Sequence, residues 1–255
     1  MDVRAVLLDL QGVLYEAGVP FDGAVDAIER MARAGLSLRF LTNTTTRPLA
    51  AISEHMRDMG FAVDDSQIFT PSVAARGVLD ERGMTRVRLA ADPALAEDFA
   101  GYALCDEGAE AIVLGDLERD FTWELLNDLF AAMRLGALLI ALHKNRYCRR
   151  GDDLGLDLGP FVVALEYATR SEAVVVGKPS ATFFQMALRD MGTDPAAVVM
   201  VGDDIDSDIG GGRSAGMTTV QVRTGKYTKG DDDVSVQPTH RIDSIRNLPE
   251  LLGLG

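Results

Sequence analysis

Short apolar runs alternate along this chain with stretches whose apolar positions recur every three or four residues. Val3–Leu8 is such a run and fits a strand buried on both faces of a sheet. Asp22-Gly23 then opens a segment in which Val25, Ile28, Met31 and Ala32 recur at helical spacing, and Gly35 closes it. Leu36–Leu41 predicts a second strand that ends at Thr42-Asn43, and a helix follows over about 48–59 with Pro48 in its first turn. A further helix is predicted over Ser72–Arg82. Strands are predicted over Val87–Ala90, Ala111–Leu114, Leu138–Leu142, Val174–Gly177, Ala197–Val201 and Thr218–Val222. Phe183, Phe184 and Met186 recur at helical spacing and read as core.

Strand–helix alternation of this kind implies parallel sheets joined by right-handed crossovers. There are too many strands for one sheet with a single site, so two α/β units, one inserted in the other, fit better. Gly83 and Thr169-Arg170-Ser171 bound the insert. The expected class is therefore α/β: a Rossmann-like parallel-sheet core domain over 1–82 and 174–255, with a smaller α/β domain inserted over 83–173. Gly230-Asp231-Asp232-Asp233 reads as an exposed acidic loop, and Arg149-Arg150 as a solvated hairpin edge.

Composition narrows the partners. The 255 residues are 47% hydrophobic and 25% charged, ordinary for a globular protein. A net charge of −14 argues against a nucleic-acid partner, because backbone phosphates need a basic surface. It leaves a phosphate ligand open, since a site needs only local cations or a metal. Cys105 and Cys148 are far apart and form no CxxC pair, which points to a reducing compartment. Asp2, Arg4 and Asp9 interrupt the first apolar run, so it does not read as a signal peptide. No stretch approaches the roughly 18–20 apolar residues of a membrane span. A cytoplasmic protein without membrane partners is the expectation.

Four strand ends carry polar residues suited to one site: Asp9 with Gln11, Thr42-Asn43-Thr44, Gly177-Lys178-Pro179, and Gly202-Asp203-Asp204-Ile205-Asp206-Ser207-Asp208. In an open α/β sheet, ligands bind at the carboxyl ends of the strands. If these strands are parallel neighbours, the four clusters meet on one sheet edge. Together they supply what phosphoryl transfer needs: a carboxylate to attack phosphorus, further carboxylates for a hard cation such as Mg²⁺, a hydroxyl and an amide for phosphate oxygens, and a lysine for transition-state charge. Each also has a plain structural reading. Thr42-Asn43 fits a turn, Lys178 a solvated loop lysine, and the acids charge at a helix N-terminus.

Two lookalikes fail on context. Gly212-Arg213-Ser214-Ala215-Gly216 matches a nucleophile elbow, but a helix precedes it and a strand follows. The run from Asp204 begins like a calcium loop but has Ile209 where that loop needs Gly and Ala215 where it needs Glu. No G-x-x-x-x-G-K-[ST] phosphate loop occurs.

The order DLQGVLY, TNTT, GKP, GDDIDSD resembles the haloacid dehalogenase superfamily of aspartate-nucleophile phosphatases. The insert's position is similar to that of the p-nitrophenylphosphatase-type branch, whose α/β cap lies between the second and third motifs. The resemblance implies that Asp9 is the nucleophile and a Mg²⁺ ligand, with the Gln11 carbonyl and Asp203 as further ligands. Asp208 stands with them, as a ligand or as the residue that orients Lys178. Thr42 and Asn43 would hold phosphoryl oxygens, and Lys178 would steady both Asp9 and the phosphate. His143, Lys144, Asn145 and Arg146, after the strand Leu138–Leu142, are candidates for substrate contact from the cap. A small phosphorylated substrate is implied, and a homodimer through the cap is a further expectation.

The chain departs from the family at Gln11, where most of these phosphatases have the Asp that protonates the leaving oxygen and later activates water. A primary amide can do neither and only donates or accepts hydrogen bonds. General acid–base catalysis is worth roughly 10²–10⁴-fold. The expectation is a bias toward leaving groups that need little protonation: phosphoramidates, pyrophosphate and aryl phosphates. The alternative is a catalytically weak phosphate-binding or regulatory protein of the same fold. Attack on carbon, as in a dehalogenase, needs no metal and fits poorly with Asp203, Asp204 and Asp208.

Overall fold

The computed structural model describes residues 2–150, 153–232 and 234–254, with the side chains of Arg149 and Arg150 outside that description. The strands of the first third are β1 (Ala5–Asp9), β2 (Tyr15–Glu16), β3 (Val19–Pro20), β4 (Ser37–Leu41) and β5 (Ile68–Phe69). The middle carries β6 (Arg86–Ala90), β7 (Ala103–Leu104), β8 (Ala111–Leu114), β9 (Leu138–Ala141), β10 (Tyr147–Arg150), β11 (Asp153–Leu156) and β12 (Val174–Val175). The last are β13 (Val198–Gly202), β14 (Thr218–Val222) and β15 (His240–Ile242). The helices are α1 (Ala24–Arg33), α2 (Leu49–Asp58), α3 (Pro71–Glu81), α4 (Trp123–Arg134), α5 (Leu158–Thr169), α6 (Ala181–Met191), α7 (Gly211–Ser214) and α8 (Leu248–Leu251).

The chain divides into two compact units, one of residues 1–42, 49–69 and 183–255, the other of 43–48 and 70–182. The first unit is built on a six-stranded sheet in the order β15-β14-β13-β1-β4-β5. All of its pairings are parallel. Every residue of β1 and β13 is buried, which is why both read as unbroken apolar runs rather than alternating ones. The α1 helix presents Ala24, Ala27, Ile28 and Met31 to the core, a stripe at helical spacing. In the second unit, Thr70 caps α3 by accepting from the Val73 N–H, with Pro71 at the first helical position. Phe183 and Phe184 are fully buried, and Phe183 meets Phe69 edge-on at 5.1 Å between ring centroids.

The chain leaves β1 for β4 and β5 on one side and later returns to β13, β14 and β15 on the other. The order therefore reverses between β1 and β13, the position where open α/β sheets bind ligands. Register brings their ends level: Leu8 pairs with Val201, and Asp9 with Leu41 of β4.

The second unit has a five-stranded sheet, β12-β9-β8-β6-β7, again all parallel. Its core gathers Ile112, Leu114, Leu129, Leu139, Leu158, Val162 and Leu165. β10 and β11 form an antiparallel hairpin, so Arg149 and Arg150 lie on a hairpin strand as expected from sequence. Asp233 of the predicted acidic loop lies outside the described residues.

One expectation needs correction. Val174-Val175 pairs with Ile140-Ala141 of β9, so the strand before Gly177-Lys178-Pro179 belongs to the five-stranded sheet. The four polar clusters do not end four strands of one sheet. A two-residue strand of β-branched residues reads the same in either sheet, so local pattern could not assign it.

Among the described residues, no helix is long and apolar enough to cross a membrane. Phe183→Ala removes a fully buried ring that packs between two others. It is expected to cost about 3–5 kcal/mol of stability in urea denaturation. A loss below about 1 kcal/mol would show that this aromatic cluster does not hold the unit together.

Candidate active site

β1 ends in Asp9, and β13 runs directly into Asp203. The turn after Asp203 is a single wide turn over Ile205–Gly210 that carries Asp208 inward, where it is fully buried. Asp9 is 9% exposed and Asp203 2%, and one carboxylate oxygen from each of Asp9, Asp203 and Asp208 lies within 4.8 Å of the others. Three buried acids this close repel one another unless a cation or protons intervene. Oxygen donors of this kind suit a hard ion such as Mg²⁺. Thr42, just past β4, is buried on the same sheet edge. The Gln11 side chain is exposed.

The glycines around these acids explain their close approach. A side chain at Gly12 would begin 2.1 Å from Asp203 Oδ2, and one at Gly225 would also begin 2.1 Å from it. Both glycines have positive φ, +80° and +61°, a region that strains other residues. The Lys226 N–H donates to Asp203 Oδ2 at 2.7 Å, and the Thr224 hydroxyl donates to the Gly12 carbonyl. The segment Thr224–Lys226 thus clasps the Gly12 turn and fixes one oxygen of Asp203. Gly202 serves Asp208 in the same way, since a Cβ there would fall 2.1 Å from that of Asp208.

Asp204 takes the plain role of a cap. Its Oδ1 accepts from the N–H groups of Asp206 at 3.0 Å and Ser207 at 2.9 Å. Burial pushes its pKa up, but these N–H groups and Lys226 outweigh that and hold it below the ordinary carboxylate value. Lys226 Nζ lies 3.0 Å from Asp204 Oδ2 with 72% of its side chain exposed. Partial desolvation opposes its charge, but Asp204, Asp203 and Asp9 prevail and raise its pKa. Sequence reasoning gave no role to Thr224, Gly225 or Lys226. The signal was available: a Gly and a Lys directly past the apolar run Thr218–Val222.

In the second unit, Lys178 is 4% exposed, so it is no solvated loop lysine. Its N–H donates to Asn43 Oδ1 at 2.8 Å, and Asn43 Nδ2 donates back to its carbonyl at 2.9 Å. Gly177 permits this approach, because a side chain there would begin 2.2 Å from the Leu142 carbonyl and 3.1 Å from Asn43 Oδ1. The Asn43 amide is therefore engaged in holding the Lys178 backbone. His143 is 5% exposed, with Nε2 3.7 Å from Asp157 Oδ1. Asn145 is half-buried and accepts from the Gly159 N–H at 2.8 Å through its carbonyl.

Comparison with known proteins identifies the family. A haloacid dehalogenase-like hydrolase model matches residues 6–105, and a HAD-hydrolase-like model matches 175–248. The chain is 42% identical over 231 residues to human haloacid dehalogenase-like hydrolase domain-containing protein 2, covering 91% of this chain and 88% of that one. It is 39% identical over 237 residues to the phospholysine phosphohistidine inorganic pyrophosphate phosphatase of Xenopus laevis, covering 90% and 87%. The solved p-nitrophenyl phosphatase from Archaeoglobus fulgidus superposes with a TM-score of 0.90 at 28% identity, covering 98% and 100%. The chain belongs to the haloacid dehalogenase-like hydrolases. Within them it is an enzyme of the phosphatase type.

Gly225→Ala tests the clasp. A methyl there must displace Asp203 and adopt a strained φ, which costs roughly 1–3 kcal/mol of stability. Calorimetric titration should also show weaker Mg²⁺ binding. Unchanged melting and unchanged Mg²⁺ affinity would show that the segment does not set the position of Asp203.

Proposed function

We propose that the chain is a Mg²⁺-dependent phosphatase that works through an aspartyl-phosphate on Asp9. The observation that carries this reading is the buried trio Asp9, Asp203 and Asp208 at the switch point of the six-stranded sheet. Mg²⁺, held by those carboxylates and the Gln11 carbonyl, would screen the charge that otherwise keeps a carboxylate from a phosphate. A carboxylate oxygen of Asp9 attacks phosphorus, and the bond to the leaving group breaks with its electron pair on that group. Water then attacks the same phosphorus, releasing inorganic phosphate and restoring the carboxylate. The Thr42 hydroxyl donates to a phosphoryl oxygen. Lys178 supplies positive charge as the transition state forms, and Asn43 positions Lys178 through its backbone. The place of Asn43 and Lys178 in the reaction rests on the order of motifs along the chain.

Gln11 decides which substrates turn over. Its amide carries no proton to give to a departing alkoxide and cannot take one from water. Phosphoramidates, pyrophosphate and aryl phosphates release groups that leave without such help. The second unit acts as the cap that selects among them, with Asn145 and His143 as its candidate contacts. A homodimer through the cap and a cytoplasmic setting, expected from the sequence, are part of this proposal. The amide at Gln11, in place of the usual acid, favours one second reading, a phosphate-binding protein with negligible turnover.

Activity on p-nitrophenyl phosphate with Mg²⁺ separates the two. Asp9→Asn is expected to abolish it and EDTA to suppress it, while an inactive wild-type chain across aryl, phosphoramidate and pyrophosphate substrates would favour the binding protein. Sugar phosphates are expected to turn over much more slowly than p-nitrophenyl phosphate, and equal rates would remove the proposed bias. Gln11→Asp is expected to raise alkyl-phosphate hydrolysis at least about tenfold. No gain would mean that another group already supplies the proton.

A further inference from the structure

β14 carries a residue that a buried strand does not favour. Four of its five residues are buried, and one of these is the polar Gln221, with no exposure at all. A buried amide is costly unless its donors and its acceptor are paired. Here both kinds of group are engaged. Nε2 donates to Asp231 Oδ2 at 2.7 Å and to the Asp203 carbonyl at 3.3 Å. Oε1 accepts from Arg241 Nε at 3.0 Å. The β13–β14 pairing runs as far as Gly202 with Gln221, so Asp203 is the first residue past it, and a side chain of β14 takes up its carbonyl.

The partners of Gln221 are themselves tied to the segment that clasps Asp203. Arg241, on β15, also donates to the Asp231 carbonyl at 2.9 Å and lies 3.3 Å from Asp232 Oδ1. The Thr228 hydroxyl donates to the other oxygen of Asp231 at 2.8 Å. Thr228 stands two residues beyond Lys226, whose N–H holds Asp203 Oδ2. Gln221 therefore reaches Asp203 twice: directly at its carbonyl, and through Asp231 and Thr228 at the segment that fixes its carboxylate.

We propose that Gln221 is a positioning residue for the acidic centre: it ties the loop around Asp231 to β14 and so sets the direction in which Asp203 presents its carboxylate. The inference rests on the reading of Asp203 as a Mg²⁺ ligand. An apolar side chain of equal length would fill the same space in the strand. It could pair neither the Asp231 carboxylate nor the Asp203 carbonyl, and both would lose a fixed orientation. Groups that orient a metal ligand from behind account for roughly ten- to hundredfold in metal affinity. Asp231 acts here as an acceptor and not as a charge. An amide at that position serves equally, its oxygen accepting from Gln221 and its nitrogen donating to the Thr228 hydroxyl.

Two readouts on the full chain test this without an activity assay: calorimetric titration with Mg²⁺, and amide hydrogen exchange followed by NMR before the ion is added. Gln221→Met is expected to weaken Mg²⁺ binding at least about tenfold. It should also speed exchange of the Lys226 amide at least about tenfold relative to the amides of β1. Asp231→Ala should do the same, while Asp231→Asn should keep both readouts within about twofold of wild type. Asp231 is only half-buried, so its two variants carry the test even if Gln221→Met does not fold. A merely structural role would lower the melting temperature and leave the ratio of Lys226 to β1 exchange where it was. An unchanged ratio, unchanged Mg²⁺ affinity in Gln221→Met, or equal losses in Asp231→Ala and Asp231→Asn would overturn the proposal. Absence of Mg²⁺ binding in the wild-type chain would instead overturn the reading of the metal centre, and the exchange ratio would still decide whether Gln221 holds the clasp.

Discussion

Mutual repulsion among Asp9, Asp203 and Asp208 is the constraint around which the first unit is arranged. Two ionised carboxylates at 4.8 Å in a partly buried setting repel by roughly 3 kcal/mol, and there are three such pairs. A chain under no functional demand would place these acids in water. Here an all-parallel sheet, buried on both faces, delivers two of them at the point where its strand order reverses. A wide turn brings the third inward. A hard cation among these oxygens would relieve that repulsion, which is the role the proposed function gives it.

Backbone geometry makes the crowding possible. Gly12, Gly202 and Gly225 let main chain and carboxylates approach to distances that any side chain would block. Lys226 contributes an N–H to Asp203 and a partly solvated charge to Asp204, so it balances the acids without entering their centre. Gln11 sits in the same turn as Gly12 but faces solvent. Under the proposed function, a substitution there would change proton delivery while leaving the packing of the acids in place.

Much of this was legible in the sequence because local pattern and tertiary role coincide. Apolar runs ending in Asp9, Thr42 and Asp203 became strands of one sheet, fully buried in β1 and β13. Of the positions picked out by helical spacing, Ile28 and Met31 became buried, while Val25 is half-buried and Ala32 exposed. What was not legible depends on long-range pairing. The two residues of β12 carry no mark of which sheet they join. The pair β2–β3 is too short to stand out. The clasp of Thr224–Lys226 on Gly12 joins positions more than two hundred residues apart. The Asn43 amide spans the Lys178 backbone, a pairing of positions 135 residues apart.

A crystal grown with magnesium and orthovanadate tests the central claim most directly. The cation is expected about 2.1 Å from an oxygen of Asp9 and an oxygen of Asp203, with vanadium seated against the remaining Asp9 oxygen. A cation that binds away from both residues would contradict it.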